Sequence, residues 1–323
     1  MGQTLRVLTR NLFLGADLTP AYEALAAPDG LAALPAVVAG IFNPGEPPGV
    51  VQRTDFATRA AGLADEIEAT EPDLIGLQEA AQWRTDDTVA ADHLDLLEAE
   101  LTRRGLRYRR VAAAVNGDVA LPSAAGFNVG LSDREAILAR ADADVSTANV
   151  QVAPFANTLP IETPHGTFAL ARGWMSVDAT VRGTTVRLIS THLEVPGSPA
   201  AGAAQLAQAG ELLAGPADTS LPVVMLGDFN SLPDSPTYAA LRAAGFDDAW
   251  TRANPGDATG FTCCHRERLD DPADMLRARI DLILTRGPIA ATEAFLVGHT
   301  AADLRNGLWP SDHAGVVATL EPV

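Results

Sequence analysis

Four short apolar runs in this chain each stop at a polar residue suited to chemistry, and a fifth is preceded by such residues. Leu5 to Thr9 leads to Asn11, Leu74 to Leu77 to Gln78 and Glu79, and Val186 to Thr191 to His192. Leu221 to Leu226 leads to Gly227, Asp228, Phe229 and Asn230, while Asp312 and His313 stand before Val316 to Leu320. Asp281 sits inside the run Arg279 to Leu284, between apolar neighbours. Runs of this length read as buried strands. Polar groups at strand ends act together only if those ends meet, so one fold must bring Asn11 and His313 to the same rim. Amides, carboxylates and imidazoles are the ligand and base types of a hard-cation site that hydrolyses phosphate esters.

Between these runs the pattern interleaves helices and strands. Thr54 can cap a helix whose Phe56, Ala60, Leu63, Ala64 and Ile67 share one face, closed by Pro72. A second helix carries Leu94, Leu97 and Leu101 and ends at Gly105. A third begins at Pro199, turns Leu206, Ala209, Leu212 and Leu213 inward and stops at Gly215 and Pro216; a fourth starts with Ser235 as cap and Pro236 in its first turn. Strands are expected over Tyr108 to Ala113, Glu135 to Ala139 and Thr167 to Leu170, and Met175 to Thr180 turns at Arg182 and Gly183 into Thr185 to Thr191 as a hairpin. Hairpin strands together with helix-linked strands make mixed sheets, and the simplest α/β architecture sets two sheets face to face with helices outside. The 323 residues, 47% hydrophobic, read as one domain because the strand ends have to converge.

The charge balance narrows the substrates. With 23 basic against 41 acidic residues, net −18, the chain is ill suited to long polyanions, whose binding relies on Lys and Arg displacing counterions; nucleic acid is disfavoured without being excluded. All the basic residues are Arg, so Schiff-base and Lys-nucleophile mechanisms are ruled out. The cluster Arg103, Arg104, Arg107, Arg109 and Arg110 spans a helix C-terminus, where cations meet the dipole favourably. No apolar stretch is long enough for a membrane helix. The expected compartment is the cytoplasm if the chain starts natively, or outside the cell if a leader has been removed. Cys263 and Cys264 are neighbours, and the simplest reading is two free thiols in a reducing compartment. A strained vicinal disulfide comes next, and a zinc site last, because one short cluster lacks a second pair of spaced ligands.

Taken in order, Asn11, Gln78 and Glu79, Thr191 to Leu193, Gly227 to Asn230, Arg279 to Asp281 and Ser311 to His313 resemble the motifs of the endonuclease/exonuclease/phosphatase superfamily. That group includes deoxyribonuclease I, abasic-site endonucleases, neutral sphingomyelinases and inositol polyphosphate 5-phosphatases. The resemblance covers nearly the whole chain. It implies a four-layer α/β/β/α sandwich with two facing mixed β-sheets, in agreement with the element reading.

A phosphodiester resists attack because its oxygens repel a nucleophile, so a divalent cation must draw off charge while a base makes hydroxide from water. Glu79 is the candidate main ligand, with Asn11 giving a neutral oxygen or a hydrogen bond to it, a pair that members of the group similarly use. Oxygen donors point to Mg²⁺ or Mn²⁺. His313 is the candidate general base, and the resemblance implies that Asp281 orients it. It also implies that His192, matching the second imidazole of the nuclease and sphingomyelinase branches, assists the departing oxygen. Asp228 is expected to position the attacking water, Asn230 to donate to the phosphoryl oxygen, Arg172 to contact phosphate, and Asp312 to bind a second cation or orient the site. Each has a plainer rival. Asp228 and Asn230 alone are ordinary turn formers, and His192 alone is an ordinary buried histidine. Asp281 is harder to dismiss, because a carboxylate inside an apolar strand needs a partner such as His313.

Two stretches depart from the group. The insertion from about Leu18 to Val51 places Leu31, Leu34, Val37, Val38, Ile41 and Phe42 at helical spacing before a Gly/Pro stretch from Pro44 to Gly49. It either packs on the core edge or walls the groove for a lipid-linked ester, with Trp309 as a contact. Asn116 to Asp133, with Pro122, Gly126 and Gly130, reads as a loop. The expected function is a metal-dependent phosphodiester hydrolase acting on a small or lipid-linked phosphoester by in-line attack of an activated water. The alternatives are a Mg-dependent endo- or exonuclease and a noncatalytic binding module. The cost of holding so many polar groups at one rim speaks against the module.

Overall fold

The computed structural model describes residues 4–164, 166–272 and 275–323. Its first sheet runs in the order β15 (Ile289–Val297), β16 (Gly315–Pro322), β1 (Leu5–Asn11), β2 (Leu74–Gln78), β6 (Asn128–Arg140), β3 (Gln82–Thr85) and β4 (Thr88–Asp92), with β5 (Tyr108–Pro122) also paired to β6. The second runs β13 (Asp247–Asp248), β14 (Asp281–Arg286), β12 (Val223–Asp228), β11 (Thr184–His192), β10 (Gly173–Val181) and β7 (Val145–Pro154). A small hairpin joins β8 (Leu159–Thr163) to β9 (Gly166–Leu170). Each large sheet holds one parallel pair, β1 with β2 and β11 with β12, among antiparallel neighbours. The helices are α1 (Thr19–Ala26), α2 (Gly30–Ile41), α3 (Val50–Arg53), α4 (Phe56–Thr70), α5 (His93–Arg103), α6 (Pro199–Ala214), α7 (Pro236–Ala243) and α8 (Ala249–Ala253).

The alternation of side chains along each strand builds the layers. Val7, Leu74 and Ile137 face Val177, Leu188 and Leu226 across the space between the sheets. On the other face of the first sheet, Leu8, Ile75 and Leu138 pack on Leu63 and Ile67 of α4 and Leu94 and Leu97 of α5. Ile189, Val223 and Met225 similarly meet Ala209 and Leu212 of α6 and Leu241 of α7. The result is the α/β/β/α sandwich that the sequence pattern implies. The sheets come closest at Gly76, where any Cβ would collide with Leu226.

Several local expectations change. Asp55, not Thr54, caps α4: its carboxylate accepts from the Thr58 N–H, whereas the Thr54 hydroxyl donates to the Gly15 carbonyl. Leu206 faces outward, 39% exposed. The stretch Asn116 to Asp133 is not a loop. β5 and β6 pair along it as a long hairpin, register running from Tyr108–Arg140 to Pro122–Asn128 with Gly126 at the tip. In the insertion, Leu34, Val38, Ile41 and Phe42 are buried against Trp83, Val129 and Leu131, which is the core-edge arrangement, and Leu31 is 48% exposed. The Arg182–Gly183 turn forms as expected, with positive φ at both residues.

Candidate active site

The parallel pairs bring the polar residues to a common rim. At the end of β1, Asn11 lies opposite Gln78 of β2, and Glu79 follows directly. In the second sheet, His192 lies opposite Asp228, and Asp228 opposite Asp281, so adjacent strands carry all three at one level. Gly227 permits this approach, because at φ 150° a Cβ there would collide with the Thr191 carbonyl. The Asn11 amide is one of the links between the sheets at the rim. Asn11 Nδ2 donates to Asp228 Oδ2 at 3.2 Å and to Glu79 Oε1 at 3.1 Å. Its Oδ1 accepts from the Phe13 N–H at 2.8 Å.

His313 Nδ1 lies 2.8 Å from Asp281 Oδ2, and Asp228 Oδ2 lies on the same side at 3.9 Å. With Nδ1 engaged, Nε2 is the nitrogen free to take a proton. Burial opposes the charged imidazole, but Asp281 and Asp312 outweigh it, and the His313 pKa stands well above its ordinary value. The Asp281 backbone N–H donates to Thr262 Oγ1 at 3.1 Å, which fixes the carboxylate's strand. Burial, and then the neighbouring Asp281, raise Asp228 to about 7.

The other imidazole is in the opposite state. Arg172 Nη1 lies 2.8 Å from His192 Nδ1, and since a guanidinium can only donate, Nδ1 accepts and the proton sits on Nε2. That nitrogen lies 3.5 Å from Asp228 Oδ2. Burial, then the charges of Arg172 and His313, push the His192 pKa well below its ordinary value, so the ring is neutral. Arg172 also lies 3.7 Å from Asp133 Oδ2. Asp133 is raised to about 7 by burial, and Glu135 is raised well above the usual range by burial even though Asn116 donates to it at 2.7 Å. Tyr22 of α1 is near enough to feel Arg172, Asp133, Glu194 and Glu79. The sequence reading missed Asp133, Glu135 and Tyr22 as site residues; the signal was the polar–apolar change from Ser132–Glu135 to Ala136–Leu138, where the supposed loop meets the expected strand from Glu135.

Glu79 Oε2 accepts from the Leu14 N–H at 2.9 Å, and Asp312 Oδ1 from the Ser311 hydroxyl at 3.3 Å. Burial raises both pKa values, and the charge of Asp312 raises Glu79 further. Both carboxylates offer oxygen donors only, the type that a divalent hard cation takes. Asp228, Asp281 and His313 also bring ligand atoms within 4.8 Å of one another. Asn230 donates its backbone N–H to Asp228 Oδ1 at 2.9 Å and one amide hydrogen to the Leu193 carbonyl at 3.0 Å, which leaves the second hydrogen. Every sequence-derived candidate thus stands at this rim. Trp309 is different: it is fully buried, stacked on His265 at 4.2 Å, and cannot touch a substrate. Cys263 and Cys264 are joined by a disulfide in place of the expected free thiols.

The model of the endonuclease/exonuclease/phosphatase family matches residues 51–313. Among solved structures, D. rerio TDP2 in complex with a single-strand DNA product is 17% identical, covering 98% of this chain and 99% of its own, with a TM-score of 0.58. An endonuclease/exonuclease/phosphatase from Beutenbergia cavernae is 22% identical over 99% of this chain and 72% of its own, TM-score 0.59. One from Bacteroides vulgatus is 17% identical over 99% of both, TM-score 0.58. These likenesses concern the fold. No curated protein has a sequence that matches this one.

Proposed function

Because this chain belongs to the endonuclease/exonuclease/phosphatase family, whose members are generally phosphoester hydrolases, we propose that it is a divalent-metal-dependent phosphodiesterase acting on a small phosphodiester. The observation that carries this reading is the buried Asp281–His313 pair, 2.8 Å apart, with the buried carboxylates Glu79 and Asp312 near enough that the charge of Asp312 raises the Glu79 pKa. Glu79 and Asp312 would hold Mg²⁺ or Mn²⁺, which when bound would supply positive charge against the negative charge that gathers on the phosphoryl oxygens. His313 takes a proton from water through Nε2 while Asp281 stabilises the imidazolium formed. Asp228, whose Oδ2 faces His192 Nε2 and Asn11 Nδ2, is assigned the orienting of the attacking water, and the free amide hydrogen of Asn230 donates to a phosphoryl oxygen. Arg172 holds the phosphate through charge and fixes the His192 tautomer. His192, neutral and protonated at Nε2, serves the departing oxygen as a hydrogen-bond donor and not as an imidazolium acid. The water oxygen bonds to phosphorus as the ester oxygen leaves; that oxygen takes a proton from solvent, and His313 returns to solvent the proton it took.

A small substrate is favoured over a lipid because the apolar stripe of α2 is used up in packing. No helix among the described residues is long and apolar enough to cross a membrane. A nuclease with the same mechanism is the second reading, supported by the single-strand DNA product in the D. rerio structure and opposed by the net charge of −18. A panel of bis(p-nitrophenyl) phosphate, DNA, RNA, sphingomyelin and inositol phosphates, with and without chelator, tests both. The expected result is chelator-sensitive turnover of the small ester. His313→Ala and Glu79→Ala should each lose at least about a hundredfold while keeping wild-type circular dichroism. Turnover that survives chelation, or wild-type rates in either variant, contradicts the reading.

A further inference from the structure

The geometry points to a second cation site, for a thiophilic ion such as Zn²⁺, built from Cys263, Cys264 and His313 and open only when the two cysteines are reduced. Cys264 Sγ lies 3.9 Å from His313 Nε2, and the ligand atoms of all three residues fall within 4.8 Å of one another. Tetrahedral zinc with one thiolate and one imidazole separates S from N by about 3.6 Å. Cys264 Sγ and His313 Nε2 are thus nearly spaced for it, whereas the Cys263 and Cys264 sulfurs must part once their bond opens, because two zinc thiolates stand about 3.8 Å apart. The backbone holds the group in place, because Cys263 bridges to both Ala278 and His313 and the Cys263 N–H donates to the Ala278 carbonyl at 2.9 Å. The ring is also oriented for the task. Nδ1 is held by Asp281, the carboxylate–histidine arrangement that steadies a metal ligand, and Nε2 is left to bind.

The motif escapes a spacing rule because its third ligand comes from 49 positions away. Thiolate donors also separate this site from the all-oxygen set of Glu79 and Asp312, since soft ligands select zinc over magnesium. In the structure the sulfurs are joined. Opening them takes two electrons from a reductant and two protons: two thiols supply both and become a disulfide, whereas a phosphine supplies the electrons, takes up a water oxygen as its oxide and leaves the water's protons on the sulfurs; the incoming cation then displaces both thiol protons. The exposed Cys264 gives the reductant access. Once Nε2 has given its lone pair to the cation it can no longer accept a proton from water, so reduction makes the enzyme zinc-sensitive. That inhibitory consequence rests on the function proposed above; the binding itself does not.

Cobalt reports the site directly. The full chain, reduced with tris(carboxyethyl)phosphine and titrated with Co²⁺, should develop a near-ultraviolet thiolate-to-cobalt band at one equivalent. The band should be absent from the wild type before reduction and clearly weaker in Cys264→Ser and Cys264→Ala, which keep only the Cys263 thiolate, and His313→Ala should weaken cobalt binding at least about tenfold. In parallel, with Mg²⁺ present, Zn²⁺ should inhibit the reduced wild type at least about tenfold more strongly than reduced Cys264→Ser. No band in the reduced wild type, or an equal band in either Cys264 variant, overturns the site. Equal zinc inhibition of wild type and Cys264→Ser overturns its effect on turnover. A chain that forms the band yet hydrolyses no phosphodiester would leave the cation site standing and remove the proposed function.

Discussion

Asp281 sets the pH at which His313 can work. A general base must be neutral to take a proton, and a pKa held above the ordinary value by Asp281 and Asp312 means the neutral fraction grows as pH rises. The rate should therefore climb toward the alkaline side. In Asp281→Asn the carboxylate charge is gone, the His313 pKa falls, and the ascending limb of kcat/KM at fixed Mg²⁺ should move to lower pH while kcat drops. A limb that stays in place would show that another group titrates. At this scale most of the site was legible in the sequence, because Asn11, Glu79, His192, Asp228 and His313 each punctuate an apolar strand and Asp281 interrupts one. Asp133 was not, since alternation within a stretch rich in Gly and Pro looks like loop chemistry, nor was Glu135, which reads as the first residue of an ordinary strand. Trp309 was misjudged for another reason: nearness along the chain to His313 says nothing about which way a side chain points, and this indole donates to the Asp271 carbonyl inside a small cluster with Phe13 and Leu269.

At the level of elements, the junction of β11 and β12 is the tightest constraint on the site. Gly227→Ala would force these strands apart at the rung before His192 and Asp228, so it should cost about 1–3 kcal/mol of stability and lower turnover more than a core substitution of equal cost. Chemical denaturation alongside initial rates checks this, and a fully active variant contradicts it. The contact of α5 with α4 carries a different sensitivity. His93, the first residue of α5, is buried and stacked on Phe56 at 3.8 Å with neither ring nitrogen bonded, and burial pushes its pKa well below the ordinary value. Below about pH 6.5 the unfolded chain binds a proton there that the folded chain does not, so folding loses up to about 1.4 kcal/mol per pH unit. Wild type should lose more Tm between pH 7 and pH 5 than His93→Phe; equal losses would rule the residue out. The helices were readable from their apolar faces, but their first residues less so. Thr54 and Asp55 are both good caps by type, and only the Thr54 contact with Gly15 decides between them.

For the whole molecule, the charge balance governs which polymers can approach. A chain at −18 gains little from counterion release, so binding to duplex DNA at physiological salt should be no tighter than about 10⁻⁴ M. Anisotropy of a labelled duplex measures this, and submicromolar binding with a steep salt slope would favour the nuclease reading. The layered architecture was legible because alternating strands and amphipathic helices leave few ways to cover every apolar face. How the insertion docks was not, because its stripe fits a core edge and a groove wall equally well until Trp83, Val129 and Leu131 are in place. One consequence follows from the Asn11 amide that links Asp228 in one sheet to Glu79 beside the other. The ladders on either side hold themselves together without it, so a slight shear of one half against the other parts this stitch while every ladder survives. Alignment of the halves, more than integrity of either, is what the chemistry meters.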